Sequence, residues 1–245
     1  MMETLKNKIV MITGASKGLG KALALEFASK GAHLAICARH EEELLKVKEE
    51  AHAFGIKVLA VTADVAESRD VERFTALAED YFGRIDVLIN NASILGPGPI
   101  PNLLDYPEED YVQVLRVNAV SPFLVTKRVL PGMLQRNNGS IINVTSEAGH
   151  TGYAGWGAYG ISKFALEGMT ETWADEVSGT RVRINTVDPG EMNTGMHELA
   201  VPHCDYELAD PKDTVPVFVY LASDASQFVN GRRFEAQNFK EEEVL

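Results

Sequence analysis

Residues 8–31 read KIVMITGASKGLGKALALEFASKG. The first six, KIVMIT, are a short β-branched and apolar run, which reads as a buried strand. Leu19, Leu23 and Phe27 recur at helical spacing, and Gly31 stops that helix. Between strand and helix lies TGASKGLG, residues 13–20. Gly14, Gly18 and Gly20 let the backbone turn sharply and approach a ligand closely. The helix that follows points its free N–H groups and positive dipole end at that ligand, so a pyrophosphate suits the place. The spacing is neither G-x-G-x-x-G nor a P-loop, since no Gly-Lys-Ser/Thr closes it. Three glycines alone also fit a plain tight turn. Their position after the first strand of a parallel sheet is what favours a ligand.

The same alternation continues along the chain. Apolar runs stand at 8–13, 33–38 (HLAICA), 57–62 (KVLAVT), 85–90 (IDVLIN), 140–145 (SIINVT) and 182–187 (VRINTV). They are rich in Val and Ile with little polar alternation, so they read as strands buried on both faces. Helical patterns lie between them: 41–55 closes at Gly55 and 71–83 closes at Gly83. Strand–helix repetition at this spacing means parallel strands with right-handed crossovers. The expected architecture is α/β: a single-domain, Rossmann-type doubly wound parallel sheet of about seven strands with helices on both faces. No linker divides residues 1–245; SILGPGPIPN (93–102) reads as a loop and 237–245 as a solvated tail.

With 245 residues, 45% of them hydrophobic, the chain can bury a sizeable core. A formal net charge of −12 argues against nucleic acid and anionic membranes as partners. Cys37 lies in an apolar run and Cys204 is isolated, so no disulfide framework or zinc site is expected. His150 and His203 show no metal-ligand spacing, and no metal is expected. No apolar run is long enough to span a bilayer and the start lacks a signal-peptide core, so a cytoplasmic protein is the default expectation.

The end of the second strand bears on which dinucleotide fits. An NAD site usually has Asp or Glu there for the ribose 2′-hydroxyl. This chain has Ala38-Arg39, and a guanidinium suits a 2′-phosphate. Lys17 in the glycine loop adds a second cation; both also fit as solvated surface charges. Asp64, after the third strand, fits the adenine edge or a helix-start cap. NNAS (90–93) ends the fourth strand with two amides and a small residue, which leaves room for a cofactor.

Ser146 follows the strand SIINVT directly, and Tyr159 and Lys163 stand i, i+4 on one face of the next helix. A phenol with a pKa near 10 is a poor acid–base group near neutrality. A neighbouring ammonium favours its phenolate, which would tune it to exchange a proton with an alkoxide or alcohol. Ser146 can hydrogen-bond the same oxygen. Alone, a Tyr–Lys pair also fits a packed ring and a solvated amine; the serine and the glycine loop make it specific. Phe164, Met169 and Trp173 are the expected packing residues of that helix.

In order and spacing, TGASKGLG, the Asp64-Val65 pair, NNAS, Asn118 in LRVNAVSPF, Ser146, YGISK (159–163) and DPGEMNT (188–194) resemble the short-chain dehydrogenase/reductase family. The resemblance covers nearly all of 5–235. It implies a homodimer or homotetramer that moves a hydride between a nicotinamide cofactor, NADP(H) in preference to NAD(H), and a small-molecule carbonyl or alcohol. It implies that Tyr159 is the general acid–base, that Lys163 lowers its pKa and bonds the nicotinamide ribose, and that Ser146 holds the substrate oxygen. It implies that Asn118 keeps a water linking Lys163 to solvent. Cofactor contacts would come from Gly14, Ser16, Lys17, Gly18, Leu19, Gly20, Arg39, Asp64, Val65, Asn91, Ala92, Pro189, Gly190 and Thr194, besides Tyr159 and Lys163. Subunit contacts would come from helices carrying Tyr111–Arg136 and Ala158–Val177.

Three features depart from the family. Ser93 stands where it usually has Gly, the C-terminal segment FVNGRRFEAQNFKEEEVL lacks the frequent Asp-Gly-Gly, and the substrate lid, 195–210, is short. Tyr153, Trp156 and Met196 are candidate substrate contacts, with surface or lid packing as the alternative. The competing functions are a β-ketoacyl thioester reductase and an NADP-binding sensor or scaffold without turnover. The former needs a basic patch for an acidic carrier, for which Lys127, Arg128 and Arg136 are the candidates.

Overall fold

A computed structural model describes residues 5–243. Seven parallel strands form one sheet in the order β3-β2-β1-β4-β5-β6-β7. They are β1 (Ile9–Thr13), β2 (His33–Ala38), β3 (Val58–Thr62), β4 (Val87–Asn90), β5 (Gly139–Val144), β6 (Val182–Asp188) and β7 (Arg233–Glu235). The helices are α1 (Gly18–Ser29), α2 (Glu41–His52), α3 (Ser68–Phe82), α4 (Glu108–Leu115), α5 (Ser121–Gln135), α6 (Gly157–Glu176), α7 (Gly195–Ala200) and α8 (Pro216–Ala222). None of the described helices is long and apolar enough to cross a membrane.

Side chains alternate across the sheet and build two cores. Val10, Ile12, Leu34, Ile36 and Ile142 face α1, α2 and α8, where Leu23, Phe27, Leu44 and Phe218 are buried. Ile9, Met11, Ala35, Cys37 and Ile141 face α3 and α5, with Phe74, Val125 and Met133. Both faces are therefore covered, which is why these strands read as continuous apolar runs. β3 differs: it is an edge strand, and Leu59, Ala60 and Thr62 are partly or fully exposed. The seventh strand carries no apolar run, since only Phe234 of Arg233–Glu235 is buried.

The order reverses at β1, whose neighbours are β2 and β4. The loops after β1 and β4 diverge there and open a crevice at the carboxyl ends of the strands. The segment read as a solvated tail is only partly so. Phe239 packs against Tyr220 and Phe234, with ring centroids 5.4 and 6.2 Å away. Gln237 donates to the carbonyls of Pro189 and Glu191 at 3.1 and 2.9 Å. Val244 and Leu245 of that segment, like residues 1–4, lie outside the described residues.

Candidate active site

The crevice is a cavity of about 530 Å³. Gly14, Ser16, Lys17, Gly18, Leu19, Gly20, Arg39, Asp64, Val65, Asn91 and Ala92 line one part of it, and Ser146, Trp156, Tyr159, Lys163, Pro189, Gly190, Thr194 and Met196 the other. The glycines meet different demands. A Cβ on Gly14, whose φ is +67°, would come within 2.8 Å of Ala92 Cα, and one on Gly20 would collide with the Gly14 carbonyl. These two seat the loop against β4. Gly18, with φ +53°, instead faces Thr194, whose Cγ2 would be 3.4 Å from its Cβ. Asn91 Nδ2 pins the loop by donating to the carbonyls of Thr13 and Gly14. Lys17 at the N-cap of α1 makes no side-chain capping bond, and the first turn holds no acid. That end of the helix faces the cavity with its positive dipole uncompensated.

Those features fit a dinucleotide, and so do two buried hydroxyls. Ser93 Oγ and Thr145 Oγ1 line the cavity and have no hydrogen-bond partner in the protein. Buried polar atoms of that kind call for a partner supplied from elsewhere. Arg39 and Lys17 line the cavity and are both exposed. Asp64 lines the cavity; it is not the cap of α3, which is Glu67, but its Oδ1 accepts from Ala66 N at 2.9 Å and holds the turn before that helix.

Ser146, Tyr159 and Lys163 converge on the far wall. The Ser146 hydroxyl adjoins that of Tyr159, and its Oγ accepts from Ala148 N at 3.3 Å. Lys163 is 2% exposed; its Nζ lies 5.4 Å from the Tyr159 ring centroid and donates to the Val144 carbonyl at 2.8 Å. Burial pushes the phenol up to about 12, Ser146 opposes this, and Asp188 adds to it. Burial also lowers the Lys163 amine to about 8, against the pull of Asp188 and Glu167. Burial, rather than the neighbouring Lys163 amine, sets the direction of the phenol's shift. A phenol in this state keeps its proton at neutral pH and is a weaker acid than a free one.

Asn118 does not line the cavity. It sits in a π-helical turn, Arg116–Val120, between α4 and α5. Its Oδ1 accepts from Ile94 N at 2.8 Å; its Nδ2 donates to Ile94 O at 2.8 Å and to Ser162 Oγ at 3.0 Å. The side chain is thereby committed to clamping the loop after β4. The main chain tells more: Pro122 has no N–H, so the Asn118 carbonyl lacks its usual i+4 donor. Thr194 caps α7, accepting from His197 N at 3.3 Å.

Of the candidate substrate contacts, Trp156 and Met196 line the cavity, and the Trp156 ring centroid is 5.7 Å from that of Tyr159. Tyr153 does not line it. It is 47% exposed and its hydroxyl donates to Glu147 Oε1 at 3.4 Å, so a local turn contact replaces a substrate contact. Phe164 is likewise 45% exposed rather than packed in the core. Arg136 donates to the Ile85 carbonyl and Arg128 to Ser68 and the Leu124 carbonyl, so neither guanidinium belongs to a free basic patch.

Several polar residues around the site have partners that the sequence did not specify. Asn90, Asn143, Thr126 and Thr170 form a buried network joining β4 and β5 to α5 and α6; Asn90 Nδ2 to Asn143 Oδ1 is 2.8 Å. Asp188 accepts from Gly190 N at 2.9 Å and pairs with Arg233 at 2.7 Å. A polar residue inside an apolar run was the available signal for Asn90 and Asn143; nothing local marked Arg233 or Gln237.

A parallel sheet with a glycine-lined crevice at its switch point defines a dinucleotide-binding α/β protein. The family model for short chain dehydrogenase matches residues 8–204, and the chain belongs to that family of oxidoreductases. It is 36% identical over 238 residues to the 3-oxoacyl-(acyl-carrier-protein) reductase FabG of Thermotoga maritima, covering 93% of this chain and 95% of that one. A short chain dehydrogenase of Shigella flexneri 2a, solved in complex with NADP, superposes with a TM-score of 0.91 at 31% identity, over 97% of this chain and 100% of that one. NAD⁺-bound xylitol dehydrogenase superposes with a TM-score of 0.84 at 28% identity, over 94% and 97%.

Proposed function

We propose that the protein is an NADPH-preferring carbonyl reductase, working in the cytoplasm as a homodimer or homotetramer. The observation that carries this reading is the convergence of Ser146, Tyr159 and Lys163 on one wall of the cavity, with Lys163 Nζ 5.4 Å from the Tyr159 ring centroid. When bound, the reduced nicotinamide supplies the hydride. The chain does the rest. Ser146 and Tyr159 bind the carbonyl oxygen, and Tyr159 gives it a proton as it becomes an alkoxide. Lys163 receives solvent protons through a water at the Asn118 carbonyl and compensates the phenolate left behind; it also holds a ribose hydroxyl. Gly18 and the N-terminus of α1 hold the pyrophosphate, Asp64 and Val65 the adenine, and Arg39 with Lys17 the 2′-phosphate. Residues 195–210 close over the substrate as its lid, and Trp156 and Met196 give it an apolar wall.

Exposed Val112, Phe123, Ile161 and Phe164, on α4, α5 and α6, support subunit contacts through those helices. A second reading, β-ketoacyl thioester reduction, is favoured by the Thermotoga relative. The engaged Arg128 and Arg136 weigh against carrier docking there. The test is a panel of carbonyl compounds, acetoacetyl thioester included, with NADPH or NADH and with wild type or Tyr159→Phe. Expected is NADPH-dependent reduction of simple ketones or aldehydes that Tyr159→Phe abolishes while NADPH still binds, measured by fluorescence. Turnover retained in Tyr159→Phe removes the proposed acid. Thioester-only turnover gives the second reading, and a silent panel with tight NADPH binding gives a sensor.

A further inference from the structure

Arg233 has four carboxylates around its guanidinium. Its Nη2 lies 2.7 Å from Asp188 Oδ2 and 3.3 Å from Glu147 Oε2, its Nη1 3.3 Å from Glu235 Oε1, and its Nε 3.4 Å from Glu167 Oε1. Strand register assembles most of the group. β6 and β7 pair Thr186 with Arg233 and Asp188 with Glu235, so the alternation of strand side chains puts all four on one face. Glu167, on α6 one turn beyond Lys163, reaches the same face, where its Oε2 accepts from Thr186 Oγ1 at 2.9 Å.

The four acids are not alike. The side chains of Asp188 and Glu167 are 8% and 16% exposed, those of Glu147 and Glu235 51% and 55%. Uncompensated charge is costly only at the buried two. Those two are also the carboxylates felt by the Tyr159–Lys163 pair: Asp188 acts on both groups, and Glu167 on Lys163. Arg233 Nε and Glu167 Oε1 approach within ion-pair distance yet form no hydrogen bond, so this contact serves as charge compensation.

We propose that Arg233 is a positioning residue for the Tyr159–Lys163 pair: it cancels the charges of Asp188 and Glu167 beside that pair and so sets the field in which the pair works. The proposal rests on the catalytic reading of that pair given above. The charged groups around it are Glu167 from α6, Asp188 from β6, Arg233 and Glu235 from β7 and Glu147 from the turn after Ser146. Across the cavity stands Glu191 with His197, 3.5 Å apart, while Lys17 and Arg39 line its other end.

The test follows Lys163 itself, by NMR of protein labelled at lysine Cε, its signal assigned by its loss in Lys163→Met. Wild type should titrate near 8. In Arg233→Met the two buried carboxylates stabilise the ammonium, and the midpoint should rise by about one pH unit, roughly tenfold in proton affinity. Arg233→Lys should restore it to within about 0.3 of a unit, a rescue that a role in packing alone would not give. Glu147→Gln and Glu235→Gln remove exposed partners and leave the guanidinium to the buried acids; each should lower the midpoint by a few tenths of a unit. An unmoved midpoint in folded Arg233→Met overturns the proposal. Should that variant not fold, unmoved midpoints in both glutamine variants overturn it. If the midpoints move as stated in a protein that reduces nothing in the carbonyl panel, the compensation stands and only the reductase reading falls.

Discussion

Burial holds Tyr159 and Lys163 in states opposite to those that ordinary pKa values give near their titration ranges, and that has a thermodynamic signature. Lys163 drops from 10.5 to about 8 on folding, so between those values the unfolded chain binds more protons than the folded one. Stability contributed at this site therefore rises with pH through that window. Tyr159 works in reverse: raised from 10.0 to about 12, it holds its proton longer when folded, and stability falls as pH climbs between them. Melting temperatures of wild type minus Lys163→Met should accordingly increase from pH 8 towards pH 10; a flat difference would show that the amine is not desolvated. Arg39 makes a second prediction at this scale. Replacing it with Asp should remove the 2′-phosphate partner and supply one for a ribose hydroxyl, moving the NADPH/NADH ratio of kcat/KM by about 100-fold or more towards NADH. An unmoved ratio would place the phosphate elsewhere. The shared helix face of Tyr159 and Lys163 was legible because i, i+4 spacing fixes it, and Ser146 because it follows a strand directly. The direction of the phenol's shift was not, since desolvation depends on what the rest of the chain packs around it.

The element that most rewards attention is the π turn between α4 and α5. Four residues after Asn118 stands Pro122, and the turn absorbs the missing donor by widening. Restoring an N–H with Pro122→Ala should let the helix close, leave stability level or higher, and lower turnover by about tenfold if the Asn118 carbonyl relays protons. Unchanged turnover with a regularised helix would separate Asn118 from the chemistry. The glycine loop was legible as a feature but not in its division of labour. Sequence alone put all three glycines against a ligand, whereas Gly14 and Gly20 are required by Ala92 and Asn91 and only Gly18 faces Thr194. Strands covered on both faces announced themselves through Val and Ile. β7 did not, because an edge strand of three residues that carries Arg233 and Glu235 has no periodicity to find.

For the molecule as a whole, the net charge of −12 and the two-sided sheet were readable at once, and the long-range contacts were not. Phe164 shows the difference: helical spacing made it a packing residue, yet it is half exposed on α6 in company with Ile161 and, on α5, Phe123. If that face joins copies of the chain, Phe164→Glu should turn a dimer or tetramer into smaller species by analytical ultracentrifugation at micromolar concentration, with the monomer still binding NADPH. A wild type that sediments as a monomer would leave those side chains without a partner. The hold of Gln237 on the Pro189–Glu191 carbonyls reaches further than its two hydrogen bonds. Peeling the outermost strand from the sheet would take Gln237 and Arg233 with it, and so loosen the wall opposite the glycine loop at both its main chain and its charges.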